Sequence, residues 1–371
     1  MSIQTDVIVI GAGAMGSAAA LSVARQGKSV VVLEQFAAGH TMGASHGETR
    51  NFNTAYQGAV YLKLVREARE LWDDLAQETG LKLLDLIGLV NHGDIKSLKR
   101  THDAQQNFGL DSFFLSPQEA TERWAGMRFR GDVLYVPEAG RVRAATALQA
   151  LRQAAESRGA SFHYTSPVRD ITVLSQDLVA VATDTEEYRA PRVIVTAGAW
   201  TRKVLTGLVE LPRLVVTQEQ PAHFRLLSND HQWPSFNHNP DPGVAADDYW
   251  YSPTYGMLTP GEGIKVGWHG VGPVVDPDAR NFTAEDTQLE ALRRYVREWF
   301  PGLDAEQCEP ISCTYTSTDS GDFILDRFGP VVVGAGFSGH GFKFTPAIGR
   351  VLADLAEGVA APELFQVPRQ Q

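Results

Sequence analysis

The sequence has few cysteines, no excess of basic residues and no long apolar segment. Two cysteines among 371 residues are typical of a reducing compartment and argue against a disulfide-stabilised secreted domain. The formal net charge of −11 argues against nucleic acid or an anionic membrane surface as a partner, since both favour basic patches. No uninterrupted apolar run reaches about 18 residues, so the sequence predicts no membrane-spanning helix.

The N-terminal apolar segment also lacks the features of a secretory signal peptide. It contains Asp6, has no Lys or Arg before its apolar run, and includes glycines that would interrupt a signal core. We therefore expect a cytoplasmic protein. Hydrophobic residues make up 43% of the chain, which is enough to bury the core of one large domain or of two ordinary ones.

Two segments place the spacing G-x-G-x-x-G directly after a run of valine and isoleucine. They are VIVIGAGAMGSAAA at residues 7–20 and VVVGAGFSGHGFKF at residues 331–344. A chain needs only one such turn to hold a dinucleotide. Which of the two turns binds the cofactor's phosphates therefore has to be inferred from the sequence around each of them.

The first turn has the complete context of a dinucleotide-binding unit. Its glycines permit a tight turn, the approach of a pyrophosphate to the backbone, and close packing of helix and strand. Phosphates would lie on free N–H groups at the positive end of the following helix. Glu34 ends the second strand 18 positions after Gly16, as expected for a ribose-binding acid. The alternative is a tight turn without a ligand. The cofactor-binding residues predicted here are Gly11, Gly13, Ala14, Met15, Gly16 and Glu34.

The second turn lacks that context, because only 32 residues follow Gly339 and they contain no second strand ending in an acid. Gly336, Gly339 and Gly341 would still let a flat group approach the backbone at a helix start, for which Thr345 is the predicted N-cap. The turn is therefore predicted to contact the other end of the same cofactor, or to be purely structural.

The order of helix and strand patterns predicts an α/β (α+β) fold with a Rossmann-like nucleotide domain and a second, antiparallel-sheet substrate domain. Helices are predicted at about 15–26, 61–80, 144–157 and 284–299. The nucleotide domain is predicted to be discontinuous, comprising residues 1–84, 145–210 and 317–371. The substrate domain would comprise residues 85–144 and 211–316.

Six motifs together resemble the monomeric sarcosine oxidase and N-methyltryptophan oxidase family, which belongs to the D-amino-acid-oxidase-like FAD amine oxidases. The resemblance extends from residue 6 to about residue 357. It implies that the dinucleotide is FAD. The motifs are VIVIGAGAMGSAAA, GASHGETR, VIVTAGAW, KVGWH, CTYTSTDSGDFILD and GFSGHGFKF.

The resemblance implies that Cys313, in CTYT, is bonded through sulfur to the 8-methyl group of the flavin. Small buried thiols would be the ordinary interpretation of both cysteines. Cys308 matches nothing in the motif and is predicted to be structural.

The resemblance implies a role for each of two lysines. Lys265 would lie over the flavin and promote its reoxidation by O₂, since a fixed cation stabilises developing superoxide. Lys343 would bind the substrate carboxylate, and His269 would line the substrate pocket. From the residues alone, Lys265 could instead lie on the solvated face of a half-buried strand and Lys343 could be exposed at the surface.

The remaining candidates surround the flavin in the resembling enzymes. SHGETR could also be an ordinary solvated loop. One position departs from the family pattern, because Asn53 stands where a second carboxylate-binding arginine is expected, three positions after Arg50. The flavin-side candidates are Ser45, His46, Thr49, Arg50, Gly198 and His340, and the weaker pocket-wall candidates are Tyr251 and Tyr315.

The resemblance therefore implies an FAD-dependent oxidase of a secondary amine, above all an N-methyl or N-alkyl amino acid, that produces H₂O₂. The expected partners are a small-molecule amine and O₂, with no metal, in a monomer or small homo-oligomer. The alternatives are a flavin dehydrogenase that uses an electron carrier, a fructosyl-amino-acid-type oxidase and a non-catalytic FAD-binding subunit. NAD-dependent chemistry is disfavoured because it would leave the second glycine turn without a role.

Overall fold

The computed structural model describes residues 2–240 and 249–368 and contains both α-helices and β-strands. Its helices are α1 (Ala14–Arg25), α2 (Ala59–Thr79), α3 (Ile95–Asn107), α4 (Pro117–Arg123), α5 (Ala144–Glu156), α6 (Thr201–Val204), α7 (Asp286–Trp299) and α8 (Thr345–Ala356). Its strands are β1 (Ser2–Gln4), β2 (Val7–Ile10), β3 (Val30–Leu33), β4 (Thr49–Phe52), β5 (Leu84–Asp85), β6 (Leu89–Gly93), β7 (Phe113–Leu115), β8 (Val133–Val136), β9 (Gly140–Arg143), β10 (Ser161–His163), β11 (Asp170–Ser175), β12 (Leu178–Ala182), β13 (Glu187–Ala190), β14 (Arg192–Val195), β15 (Val215–Glu219), β16 (Ala222–Leu226), β17 (Ser235–Asn239), β18 (Thr254–Thr259), β19 (Gly263–Trp268), β20 (Leu303–Pro310), β21 (Cys313–Ser317), β22 (Ile324–Phe328) and β23 (Val331–Ala335).

The first layer is a six-stranded sheet in the order β10-β3-β2-β14-β23-β22. Its strands are parallel except β22, which pairs antiparallel with β23. The central strands are apolar throughout and fully buried, as expected for a parallel sheet covered on both faces. Helices α1 and α8 pack so closely on one another that a Cβ on Gly349 would lie 2.6 Å from the Cβ of Ala18.

The helix predictions are confirmed within two residues for α1, α2, α5 and α7. One capping prediction is wrong, since Thr345 is the first residue of α8 and Phe344 precedes it. A 3₁₀ turn over Phe342–Phe344 leads directly into the helix, so no extended N-cap residue is needed.

The second layer is an eight-stranded sheet in the order β20-β16-β19-β18-β17-β6-β8-β7, antiparallel except at β17–β6. One face packs against α7 and forms an apolar core with the aromatic side chains of that helix. The register pairs Lys265 with Met257 and with His223, which places these three side chains on the other face. That second face is joined to β4 by a hydrogen bond of 2.6 Å between the hydroxyls of Thr49 and Thr259.

Three smaller sheets complete the described structure. The two-stranded β15-β21 sheet carries Cys313 and Tyr315, and the three-stranded sheet has the order β4-β9-β5. The third is a four-stranded sheet in the order β1-β13-β12-β11. Within the described residues, no helix combines the length and apolar character needed to span a bilayer. The domain bounds drawn from the sequence stay a prediction.

Candidate active site

A cavity of about 970 Å³ runs between the two glycine turns. Its walls come from both turns, from the segment that follows β3, from the turn that follows β14, and from β21. The volume lies at the upper end of the range for cofactor and ligand sites. The predicted site residues that line it are Gly11, Gly13, Ala14, Met15, Glu34, Ser45, His46, Arg50, Gly198, Cys313, Tyr315, Gly336, Gly339 and Gly341.

The first glycine turn has a backbone that only glycine accommodates. Gly11 has a φ of 99°, and a Cβ there would lie 2.6 Å from the carbonyl oxygen of Thr196. A Cβ on Gly16 would lie 1.8 Å from the carbonyl oxygen of Gly11. The turn therefore brings the start of α1 against β14 and directs the positive end of the helix at the cavity.

Glu34 lies where β3 ends and is 6% exposed. Its carboxylate accepts hydrogen bonds from the backbone N–H groups of Ala12 (2.9 Å) and Phe36 (3.0 Å). The ring of His40 lies 3.6 Å away. Burial alone would raise the pKa of Glu34, but the hydrogen bonds from His40, Ala12 and Phe36 lower it overall. Glu34 is therefore an ionised acceptor at the cavity wall, and His40 is a partner that sequence reasoning missed.

The loop before β4 is held in shape by Arg50. Its guanidinium donates to the backbone carbonyls of Ala44 (2.7 Å), His46 (2.5 Å) and Thr49 (2.8 Å). Nε2 of His46 is buried and has no hydrogen-bond partner among the described residues. Burial, followed by the charge of Arg50, lowers the pKa of His46 to about 4, so this ring is neutral near pH 7. An unpaired buried nitrogen at a cavity wall is the environment that a bound cofactor would complete.

Cys313 and Tyr315 project from β21 into the cavity. A Cβ on Gly339 would lie 2.1 Å from the ring of Tyr315, so the second glycine turn must have glycine at this position. The hydroxyl of Tyr315 lies 3.4 Å from Nδ1 of His269. Cys308, in contrast, lies in β20 and packs against the core of the eight-stranded sheet.

Lys265 and Lys343 are both buried, each with 4% of its surface exposed. The exposed alternatives are therefore wrong for both lysines. Nζ of Lys265 donates to the carbonyl of Thr49 at 3.1 Å, while Nζ of Lys343 donates to the hydroxyl of Tyr56 at 2.9 Å and to the carbonyl of His340 at 2.6 Å.

Neither lysine has a carboxylate partner within 4.0 Å among the described residues. Burial lowers the pKa of each ammonium to about 7, and for Lys265 the charge of Arg50 lowers it further in the same direction. Neither lysine lines the cavity itself, but Lys265 is bonded to Thr49, the chain neighbour of the wall residue Arg50, and Lys343 follows the wall residue Phe342.

Besides the two lysines, the predicted residues that do not line the cavity are Gly16, Thr49, Asn53, Tyr251, His269 and His340. His269 is exposed beyond Tyr315. Tyr251 is 44% exposed and packs against Trp268. Asn53 uses its side-chain oxygen to accept from the backbone N–H of Ala55 at 2.7 Å, within its own turn.

Sequence reasoning also missed Tyr255 and Arg280. Tyr255 packs against the ring of His269 and lies beside Tyr315, and burial raises its pKa above its ordinary value. Arg280 is buried beside Cys313, where it donates to the hydroxyl of Ser312 at 2.9 Å. No sequence signal distinguishes either residue, because each belongs to a segment without a motif.

Comparison with known proteins identifies a family and several relatives. The model of the DAO family, described as FAD dependent oxidoreductase, matches residues 6–355. Monomeric sarcosine oxidase of Bacillus sp. (strain NS-129) is 34% identical over 96% of this chain and 94% of its own. N-methyl-L-tryptophan oxidase of Yersinia pestis (strain Pestoides F) is 31% identical over 96% of both chains.

Solved structures agree with this comparison. The open form of NikD, described as an unusual amino acid oxidase essential for nikkomycin biosynthesis, superposes with a TM-score of 0.86 at 26% identity over 98% of both chains. L-proline dehydrogenase from P. horikoshii superposes with a TM-score of 0.83 at 19% identity, covering 99% of this chain and 97% of its own. The similarity to L-proline dehydrogenase shows a shared fold and nothing more.

Proposed function

The chain belongs to the DAO family of FAD-dependent oxidoreductases, and from that membership we propose that it oxidises a secondary amine, in particular an N-methyl or N-alkyl amino acid. Bound FAD would take a hydride equivalent from the carbon beside the amine nitrogen and pass two electrons to O₂, giving H₂O₂. Water would hydrolyse the imine to an aldehyde and an amine. A cytoplasmic monomer or small homo-oligomer belongs to the same proposal.

The observation that carries this proposal is the pair of buried lysines without a carboxylate partner. A buried ammonium is unfavourable unless an anion or several acceptors compensate it. The carboxylate of an amino acid would supply the missing anion at Lys343. The lowered pKa of that lysine shows how strongly its surroundings disfavour an uncompensated charge.

The residues that line the cavity are of the kinds that would hold both ends of FAD. The first glycine turn would hold the pyrophosphate on the start of α1, and Glu34 would accept hydrogen bonds from ribose hydroxyls. The loop ordered by Arg50 and the turn at Gly339 would enclose the ring end, beside the unpaired nitrogen of His46.

The decisive experiment is anaerobic titration of the purified flavoprotein with a panel of secondary amines. Bleaching of the flavin absorbance by an N-alkyl amino acid, followed by peroxide formation when air is admitted, is the expected result. Bleaching without rapid reoxidation in air would indicate a dehydrogenase. A bound flavin that no amine bleaches would indicate a non-catalytic FAD-binding protein.

We further propose that Cys313 carries the flavin covalently. Its side chain lines the cavity, whereas Cys308 packs against the core of the other sheet. Acid-precipitated wild-type protein should stay yellow, and so should Cys308→Ser. Cys313→Ser should lose its colour in the same treatment, and a colourless wild-type pellet would exclude the bond.

Lys265 is proposed to serve the reaction with oxygen. Its buried ammonium offers a preorganised positive charge, which stabilises superoxide as it forms but contributes little to amine oxidation. Lys265→Met should slow reoxidation by about 100-fold or more and anaerobic reduction much less. An equal loss in both half-reactions, or no loss in either, would contradict this role.

We propose that Asn53 makes the enzyme prefer a larger N-alkyl amino acid to sarcosine. Its side chain is engaged in its own turn and carries no charge, so Lys343 would hold the carboxylate without a second cation. A larger N-alkyl amino acid would compensate through apolar contacts. Asn53→Arg should raise kcat/KM for sarcosine and reduce the preference for the larger amine. Wild-type enzyme that already prefers sarcosine to every bulkier substrate would refute the idea.

A further inference from the structure

Three side chains beside the cavity form a hydrogen-bonded series that the proposed reaction does not by itself require. Nζ of Lys343 lies 2.9 Å from the hydroxyl of Tyr56. That hydroxyl lies 3.2 Å from Nδ1 of His340, and Nε2 of the same ring lies 3.1 Å from the carbonyl oxygen of Gly321. Tyr56 comes from the segment between β4 and α2, and the other residues come from the C-terminal region.

The direction of each bond follows from the chemistry of its end groups. A carbonyl oxygen only accepts, so Nε2 of His340 must carry the hydrogen that is donated to Gly321. In a neutral imidazole the other nitrogen is then an acceptor, and burial lowers the pKa of His340 to about 3, which keeps the ring neutral. The hydroxyl of Tyr56 therefore donates to Nδ1, and its oxygen accepts from the ammonium of Lys343.

This arrangement fixes the position of a flexible cation. The lysine side chain has a four-carbon stem and three equivalent N–H donors. Two of these donors are used by Tyr56 and by the carbonyl of His340. Among the described residues no other acceptor lies within hydrogen-bond distance of this nitrogen, so one donor is left for a ligand. The rings of Tyr56 and Phe344 lie 5.4 and 5.0 Å from Nζ and limit its movement.

We propose that Tyr56 is a positioning residue, which orients Lys343 toward the carboxylate of the substrate through its hydroxyl group. This inference rests on the proposed function for the identity of the ligand. Tyr56 would not touch the reacting atoms. Its contribution is that the hydroxyl leaves Lys343 a single free N–H, so that the cation loses little freedom when the carboxylate binds.

The test is Tyr56→Phe, which removes the hydroxyl and keeps the ring. The ring contacts with Tyr61 (5.2 Å between centroids) and Phe344 (5.4 Å) should preserve the packing. Tyr61→Phe is the matched control, because its hydroxyl donates to Asp322 at 2.9 Å and does not contact Lys343.

Propionate is the probe for binding, followed through the change in flavin absorbance of the holoenzyme. Tyr56→Phe should weaken propionate binding by about tenfold, the size expected for one hydrogen bond to a charged group. KM for an oxidised N-alkyl amino acid should rise by a similar factor while kcat stays within about twofold. The amide of the same amino acid should be oxidised as by the wild type, and Tyr61→Phe should match the wild type throughout.

A double-mutant cycle tests whether Tyr56 affects propionate binding through Lys343. In a Lys343→Met background, adding Tyr56→Phe should cause no further loss of propionate binding, because the cation that Tyr56 orients is absent. If Tyr56→Phe does not fold, His340→Gln should weaken propionate binding in the same direction, since it frees the hydroxyl to turn away.

The outcomes separate this inference from the proposed function. The role of Tyr56 would be overturned if Tyr56→Phe bound propionate with wild-type affinity. It would also be overturned if KM rose equally for the amino acid and for its amide. Additive losses in the double variant would also overturn it. A flavin that no amine reduces would refute the proposed function, yet the propionate titration would still decide whether Tyr56 orients Lys343.

Discussion

The affinity of the site for a carboxylate should depend on pH through Lys343. Burial lowers the pKa of this ammonium to about 7, and no carboxylate of the described chain lies beside it. The protonated lysine binds a carboxylate and the neutral amine does not. Because the pKa is lowered, the binding form is present below about pH 7 and is lost as the pH rises above that value.

The size of the effect follows from the titration of a single group. Above the pKa of Lys343 in the unliganded protein, each pH unit lowers the protonated fraction of this lysine about tenfold. The Kd for propionate should therefore rise about tenfold per pH unit. Between about pH 6 and pH 8 we therefore expect about tenfold weaker binding in total. Propionate stays ionised throughout, and the neighbouring Tyr56 keeps its proton because burial raises its pKa above the ordinary value.

Proton uptake supplies an independent measurement. At about pH 8 Lys343 is mostly neutral before binding. Binding of each propionate should therefore be accompanied by the uptake of close to one proton from solution. Calorimetry in buffers of different ionisation enthalpy would measure this number. The two variants to compare are Lys343→Met, which should bind weakly with little dependence on pH, and Lys265→Met, which should keep the slope of the wild type.

Two results would refute this reasoning. A wild-type Kd that changes by less than about twofold between pH 6 and pH 9 would show that Lys343 does not titrate in this range. An unchanged slope in Lys343→Met would assign the titration to another group, of which Lys265 is the first candidate because its pKa is also lowered to about 7.

Three further predictions concern the cofactor turn and the stability of the fold. Gly11→Ala should yield protein that lacks most of its FAD in the absorbance spectrum and melts at a lower temperature, because the φ of 99° and the facing carbonyl exclude a Cβ. His92 and His238 stack at 3.6 Å in the core and burial lowers both pKa values, that of His92 to about 3. The free energy of unfolding should therefore keep its full value above about pH 6.5 and fall by about 1.4 kcal/mol for each pH unit below it, down to the pKa of about 3 of His92, with His238 acting in the same direction. Urea unfolding that shows no such loss would contradict the argument. Asp85→Asn should cost about 3 to 5 kcal/mol in denaturant unfolding, since it leaves the buried guanidinium of Arg141 without its 3.0 Å partner.

The sequence by itself determined the elements whose signals are local. The first glycine turn, its helix and Glu34 could be identified because a tight turn, a helix start and a strand end depend on residues within about 30 positions of one another. The helix over Ala59–Thr79 was predictable because its apolar face repeats with the helical period and Gly80 ends it. The error at Thr345 was local too, because a 3₁₀ turn resembles the start of a helix in sequence.

The tertiary structure alone decided which polar residues are buried together. Nothing in KVGWH shows that Lys265 is covered on both sides, because its burial depends on the packing of β19 against β4. The bond between Tyr56 and Lys343 joins residues 287 positions apart, and the pairing of Tyr255 with Tyr315 joins two strands of different sheets. Local patterns report turns, periods and caps, whereas the burial and pairing of a charge depend on chain segments that meet only in the folded protein.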